Sequence, residues 1–563
     1  MSDEPIEFHL NEAPVVIPDD GCSLLEALRD RLGVRSAKDG CSPQGQCGCC
    51  TVWVDGSPRV ACVTPAARVR GRSVTTVEGL PPEVSAAWSQ ALCATGGSQC
   101  GFCTPGIVMR LVGAASKTPL TTEAIDHALL AHLCRCTGWQ TIHEATDLVT
   151  ADSMETPCFD GSDRSDRSDG SDRSEGSDGS RAGVGGTPVR SVRRVGGAGK
   201  ARVQAEAAAR AAIEGRTPQI VDPSTSLGGG GFADDTAPLD ALVAARRADG
   251  EWVVGETLTE ARRLAAKVQG RRTTAPLIWP IELPGGDWVR TLRTTWVEPG
   301  YLEPDASWCA PGGEPVSALA NGGAFGGKVD SEVAAVAREL ADRYGRAVRV
   351  LYAREDVARH GPKRPPIAAG IAADGSGIIR VARTAGIATA ISLVAPGLDV
   401  DEVDVIGPPT SADLRAAGWA EAAVLLSSCR DIMSDDGVSW DEVTGPNGAR
   451  AGASIQTDGT VSIRVRCGRA LDEVVLRSYA IGAAHMALGW VRSEGIAVDR
   501  GGEVHDLTVR SFGALRAIDT PRFEVTIQPD DTEPINGSEA VFAAVAAAAW
   551  RDAGFPAAWP CSR

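Results

Sequence analysis

DGCSPQGQCGCCTVWVDG, residues Asp39–Gly56, is the stretch on which the fold turns. With Cys62 it supplies four cysteines, Cys41, Cys47, Cys50 and Cys62, spaced C-x5-C-x2-C-x11-C. The first gap is one residue longer than the plant-type ferredoxin spacing, in which a loop wraps a [2Fe-2S] cluster and the last thiolate returns from elsewhere. A second set, Cys100, Cys103, Cys134 and Cys136, follows in SQCGFCTPGIVM and LLAHLCRCTGWQTI as C-x2-C and C-x-C. Hard cations ask for oxygen ligands, whereas thiolate-only quartets select zinc or iron–sulfur clusters. The pairing of these two spacings favours two [2Fe-2S] clusters, with zinc as the alternative. Cys49 is surplus: x2 spacing pairs Cys47 with Cys50, so Cys49 reads as a non-ligand, and the remaining cysteines read as small buried hydrophobes or spare thiols.

Outward from the ligand loop, local patterns place the cysteines. Ile6, Phe8 and Leu10 alternate, as do Val15 and Ile17, which predicts a hairpin around Asn11-Glu12. Ser23 is a candidate cap for a helix carrying Leu24, Leu25, Leu28 and Leu32, with Gly33 as its stop. Thr51–Val54 reads as a strand, and Asp55-Gly56 turns the chain back so that Cys62 can return. Past Pro81-Pro82 the pattern is helical. Thr104 is a candidate N-cap with Pro105 in the first turn and Ile107, Val108, Leu111 and Val112 as an apolar stripe. Thr137 and Gln140 form a candidate capping box after Cys136.

The 563 residues allow three or four domains, and 43% apolar residues can build ordinary cores. A net charge of −17 argues against nucleic acid or an anionic membrane as partner. The acidic start MSDEPIEF lacks the features of a secretory signal, and the longest apolar run, Ala540–Trp550, is too short to span a bilayer. The expectation is a cytoplasmic protein, in a compartment where sixteen cysteines persist as thiols and ligands. Asp160–Ser180 is nearly all Ser, Asp, Arg and Gly, and Ala182–Gly199 continues it, which reads as a disordered tether.

The three cysteine-bearing strings resemble the iron–sulfur portion of the xanthine dehydrogenase and aldehyde oxidase family of molybdenum hydroxylases. The resemblance implies a multidomain α+β chain. Its parts are a β-grasp [2Fe-2S] ferredoxin domain (1–80), a four-helix [2Fe-2S] domain (81–151), the disordered linker (152–200) and a shortened α/β molybdenum-cofactor-binding region (201–563). After the linker, ANGGAFGGK (Ala320–Lys328) is similar to the family's glycine-rich cofactor loop, flanked by TTWVEPGYLEPDASW and GRAVRVLYAREDVARHGPKRPP. It makes Gly322, Gly323, Phe325, Gly326 and Gly327, with Gln99 beside Cys100, the candidates for holding a molybdenum–molybdopterin cofactor. Glycines there would let backbone amides approach an oxyanionic ligand, although such turns also merely tighten strand-to-helix connections. NGSEAVFAAVAAAAW (Asn536–Trp550) occupies the place of the family's catalytic glutamate, which takes a proton from the attacking oxygen. Glu539 is therefore the candidate base; the bland alternative is a first-turn acid that complements the helix dipole behind a Ser538 cap.

Departures from the family carry equal weight. No Gly-Gln pair occurs after residue 200, so the glutamine-containing cofactor loop has no counterpart. Val329 stands where purine-oxidising members carry a glutamate, which argues against a purine substrate. Between the helical domain and residue 201 there is no room for a flavin domain, so the chain is expected to carry no FAD and to pass electrons to an FAD-binding partner subunit. Two functions follow. One is a shortened hydroxylase oxidising a small-molecule aldehyde or N-heterocycle with water as oxygen source. The other is a non-catalytic iron–sulfur electron-transfer subunit whose cofactor region has degenerated.

Overall fold

The computed structural model describes residues 4–153, 204–214, 222–267, 273, 275–317, 324–430 and 440–562. The tether expected over 152–200 lies, but for its first two residues, outside them.

The chain opens with strands β1 (Ile6–Leu10) and β2 (Ala13–Ile17), paired antiparallel with Ile6 opposite Ile17 and Leu10 opposite Ala13. Asn11 (φ 48°) and Glu12 (φ 71°) make the left-handed turn that matches strand twist. Strands β3 (Thr51–Val54), β4 (Ser57–Val60) and β5 (Ser73–Thr75) complete a sheet of order β2-β1-β5-β3-β4, with β1 and β5 parallel. Asp55 (φ 49°) and Gly56 (φ 69°) form the second tight turn. Ser23 Oγ accepts from the Glu26 N–H at 3.1 Å, and Leu24, Leu25 and Leu28 are buried. The helix differs from expectation after one turn. Ala27–Arg31 widens into a π-turn, closed by the Leu32 N–H donating to Ala27 O.

Four helices follow: Pro82–Thr95, Thr104–Ala115, Thr122–Leu129 and Gln140–Ser153. Two expectations at their ends are corrected. The second helix starts one residue early, with Cys103 at the cap position, and Thr104 spends its hydroxyl on Ser98 Oγ, 3.1 Å away. Thr137 and Gln140 make no capping box. Thr137 Oγ1 lies 3.1 Å from Cys134 Sγ, while the Gln140 side chain pairs with both backbone groups of Phe523, a contact 383 residues away that local pattern cannot encode.

The remainder holds three four-stranded sheets among the described residues. One runs Trp252–Gly255, Leu242–Arg246, Val348–Leu351, Ala306–Cys309. A second runs Leu398–Val403, Gly377–Ala382, Ile367–Ile371, Arg290–Arg293, and a third runs Asp441–Thr444, Arg450–Ile455, Val461–Arg466, Phe523–Ile527. Two long helices, Glu473–Arg492 and Ser538–Asp552, pack on each other at the centre. Ala540–Trp550 is buried throughout, its alanines letting neighbouring backbones approach closely. Glu473–Arg492 is long and apolar enough to cross a membrane, but 78% of its most apolar window is buried inside the fold, so packing accounts for its composition.

One core cluster runs from the first sheet to the last helix. The reason is close backbone contact. A Cβ on Gly482 of the central helix would stand 1.8 Å from Cys136 O, and one on Gly106 would stand 2.3 Å from Gly48 O. Only glycine lets these surfaces meet.

Candidate functional site

The first four thiols converge. Cys41, Cys47, Cys50 and Cys62 are all buried free thiols; Cys41 Sγ is within hydrogen-bonding reach of Cys47 and Cys62, and Cys62 of Cys50. Backbone amides point at the sulfurs, with Gln44 N–H and Gln46 N–H donating to Cys41 (3.2 and 3.4 Å) and Cys62 N–H to Cys50 (3.5 Å). Hydrogen bonds from Cys47 and Cys62 hold the Cys41 thiol well below its ordinary value, and the same contacts push Cys47 and Cys62 up. Such proton sharing is what crowded thiols show before a metal takes all of them as thiolates.

The second four are buried as well and pair as Cys100 with Cys136, 3.6 Å apart, and Cys103 with Cys134. Hydrogen bonds from Cys103, opposed by burial and helped by Thr137, bring Cys134 down to about 6. Among the described residues no three His, Cys, Asp or Glu side chains surround a single point as one mononuclear ion would require. Sulfurs gathered in adjacent pairs suit two-iron clusters, in which each iron takes two thiolates, and the donor chemistry of both groups fits that assignment.

The two groups adjoin. Leu133 N–H, next to Cys134, donates to Cys47 O at 3.0 Å, and the position of a Cβ on Gly40 would lie 3.1 Å from both Cys47 Sγ and the Phe102 ring. Cys49 sits at this junction. Burial raises its thiol, although a hydrogen bond with Cys47 opposes that, and Cys41, Cys50 and Cys100 all act on its charge. His132 packs over Gly48, where a Cβ would come within 2.3 Å of the ring, with Nε2 3.3 Å from Thr51 Oγ1. Burial, with Arg110 adding to it, lowers His132 to about 3, so the ring is neutral.

Gly322 and Gly323 lie outside the described residues. Phe325 (φ 50°) is buried with the Arg415 guanidinium 4.4 Å above its ring centre. Gly326 (φ 88°) abuts the Asp413 carbonyl, 1.8 Å from where a Cβ would stand, so the space this glycine frees is filled by backbone. Gly327 meets Tyr301 and Pro299. Lys328 is wholly buried and paired with Glu303 at 2.6 Å; burial raises Glu303 to about 7 against that pull. Beside the loop is a cavity of about 360 Å³ lined by Arg135, Phe325, Arg415, Met486, Trp490 and Phe542, among others. Trp490 Nε1 is buried there without a hydrogen-bond partner among the described residues. Aromatic faces, a guanidinium and an unused donor lining one partly open pocket fit a pterin-type group.

Gln99 is placed elsewhere. Its amide donates to Cys136 O (2.9 Å) and Ser478 Oγ (2.8 Å) and is thereby committed to protein. Glu539 is half-buried in the first turn of its helix, one turn before Phe542, with no hydrogen bond among the described residues. Ser538 does not cap; its N–H and Oγ both donate to Asn536 Oδ1.

Several residues that hold the site together carry no local signal. Arg135, between two cluster cysteines, makes a buried two-pronged pair with Glu494 (2.5 and 2.6 Å). Arg349 pairs likewise with Asp30 (2.8 Å twice), and Arg29 with Asp234 and Asp235 (2.6 and 2.9 Å). Gln44, inside the first ligand loop, exchanges hydrogen bonds with Leu507 O and Val509 N–H.

Comparison with known proteins adds to this geometry. A family model described as a [2Fe-2S] binding domain matches residues 76–147. The nicotinate dehydrogenase small FeS subunit of Eubacterium barkeri is 36% identical over 148 residues, 26% of this chain and 94% of that protein. The xanthine dehydrogenase iron-sulfur-binding subunit of Escherichia coli O157:H7 is 41% identical over 139 residues, 24% of this chain and 82% of that one. Among solved structures, the aldehyde oxidoreductase of Desulfovibrio desulfuricans aligns over 97% of both chains with a TM-score of 0.65 at 12% identity, a likeness of fold.

Proposed function

Because the chain belongs to the molybdenum hydroxylase family, an oxidoreductase family with iron–sulfur centres, we propose that it oxidises an aldehyde or N-heterocycle with water as oxygen source and passes the electrons to an FAD-binding partner. The observation that carries this reading is the junction of the two thiol groups at the Leu133–Cys47 hydrogen bond, with the Phe325 cavity bordering Arg135 between Cys134 and Cys136. A two-electron oxidation feeding a one-electron acceptor chain needs its reacting centre and its relays this close together.

Eight thiolates would hold two [2Fe-2S] clusters, which supply one-electron transfer. Phe325, Arg415 and Trp490 would hold the molybdenum cofactor, which supplies the two-electron oxidation of carbon. Arg415 offers positive charge beside the Phe325 ring, and Trp490 Nε1 offers a donor. Glu539 would accept the proton from the attacking oxygen. Val329 stands where purine-oxidising members of the family carry a glutamate, which supports an aldehyde or a simpler heterocycle over a purine.

A second reading, the electron-transfer subunit, is favoured by the commitment of Gln99 to Cys136 and Ser478 and by Gly482 lying directly on the Cys136 carbonyl. Metal analysis of the full chain, produced with an FAD-binding partner and a complete cofactor supply, separates the two. Molybdenum with aldehyde-dependent bleaching of the clusters supports the hydroxylase. Iron without molybdenum supports the relay.

A further inference from the structure

A second pocket, of about 460 Å³, opens where the Gln204–Glu214 helix meets the starts of the helices Glu473–Arg492 and Ser538–Asp552. No cluster cysteine lines it, nor do Phe325 or Glu539. Its walls are largely apolar, with Ile213, Val475, Leu476, Tyr479 and Ile535 among them.

Arg210 lines this pocket and is the anomaly. It is 8% exposed, and Nε, Nη1 and Nη2 are all buried without a hydrogen-bond partner among the described residues. A guanidinium has five N–H donors and cannot shed its charge, so burying it unpaired is strongly unfavourable. Every other arginine used above to hold the fold together answers its burial with a carboxylate or a carbonyl. The two other charged residues of the pocket do not serve Arg210. Asp472 accepts the Val474 and Val475 amides on Oδ1 at the start of its helix and makes no hydrogen bond to Arg210, and Arg469 adds positive charge.

We propose that this pocket is a binding site for a small organic carboxylate with an apolar body, the carboxylate taken two-pronged by Arg210 and the body packed on Val475, Leu476 and Ile535. The planar fork of a guanidinium matches a carboxylate. The positive ends of two long helices reinforce negative charge at the same place. The apolar walls select against inorganic phosphate, whose several oxygens would be left without donors.

Calorimetric titration of the full chain with sodium hexanoate, sodium benzoate and inorganic phosphate tests this. One site for hexanoate or benzoate is expected, at least tenfold weaker in Arg210→Met, with no saturable heat from phosphate. Ile535→Glu, which sets a negative charge among the walls, should weaken the same carboxylate and gives a second reading if Arg210→Met fails to fold. No binding by either carboxylate, binding unchanged in both variants, or phosphate binding as tight as the carboxylates would overturn the proposal. The readout is independent of molybdenum content, so its failure leaves the redox reading untouched.

Discussion

Replacing Arg135 with methionine removes the cation that links the second cysteine group to the rest of the chain. Arg135 and Glu494 have side chains 5% and 2% exposed, and the guanidinium makes three bonds, two to Glu494 and one of 3.0 Å to Pro299 O. Arg135→Met leaves a carboxylate buried and unpaired, which costs about 3–5 kcal/mol, a large share of the roughly 5–15 kcal/mol that stabilises a typical fold. Arg135→Met/Glu494→Met removes both charges and keeps apolar volume, so it should return to within about 1 kcal/mol of wild type or exceed it. The assay is a double-mutant cycle on urea unfolding, followed by the visible absorbance of the iron–sulfur centres and by the second reduced EPR signal. The single variant should shift the unfolding equilibrium by a hundredfold or more, on the order of 3 kcal/mol, and lose the second EPR signal first. A single variant costing under about 1 kcal/mol, or a double variant no better than the single, would refute the claim that this pair is a buried, mutually dependent link.

Anaerobically purified protein should contain about four irons and four acid-labile sulfides per chain, as two [2Fe-2S] clusters require; zinc in place of iron would end that assignment. Cys50→Ser should lose the first cluster and keep the second, whereas Cys49→Ser should keep both, as read by EPR; the reverse pattern exchanges the two cysteines. Burial works to raise Asp234, but Arg349 and Arg29 outweigh it and hold it at about 2. An acid depressed from about 3.9 contributes stability that is full above pH 4 and lost as pH falls through 2, some 2–3 kcal/mol here. Asp234→Asn should therefore be markedly less stable than wild type at pH 7 and closer to it at pH 3, and an equal deficit at both refutes the linkage. Glu539→Gln should retain molybdenum and lower turnover by about a hundredfold, the usual range for a general base; unchanged turnover with metal retained removes Glu539 from the mechanism.

Where residues act through near neighbours, the sequence was readable. The alternation of Ile6, Phe8 and Leu10 and the Asn11-Glu12 turn suffice for the first hairpin, because a two-residue turn with positive φ sets the register by itself. Cysteine spacing was enough to sort the thiols into two groups, since a ligand loop is short. The failures share one cause. Thr104, Thr137 and Gln140 have the composition of helix caps, yet each spends its side chain on a group that local pattern does not rank: Ser98, Cys134 and, for Gln140, the distant Phe523.

The same cause explains why the later region was hardest to read. Its anchors are charges and glycines whose partners lie hundreds of residues away: Arg135 to Glu494, Arg349 to Asp30, Gly482 to Cys136. A buried arginine is indistinguishable from a surface one until its carboxylate is found, because both look equally polar in sequence. The glycine-rich loop shows the converse. Gly326 attracts a ligand-binding reading through its motif, but its missing Cβ makes room for the Asp413 carbonyl. The cofactor question therefore shifts from the glycines to the side chains that line the pocket, Arg415, Trp490 and Phe325. Among these, Trp490 leaves its indole Nε1 buried and unused among the described residues, which makes it the place to look for what the pocket holds.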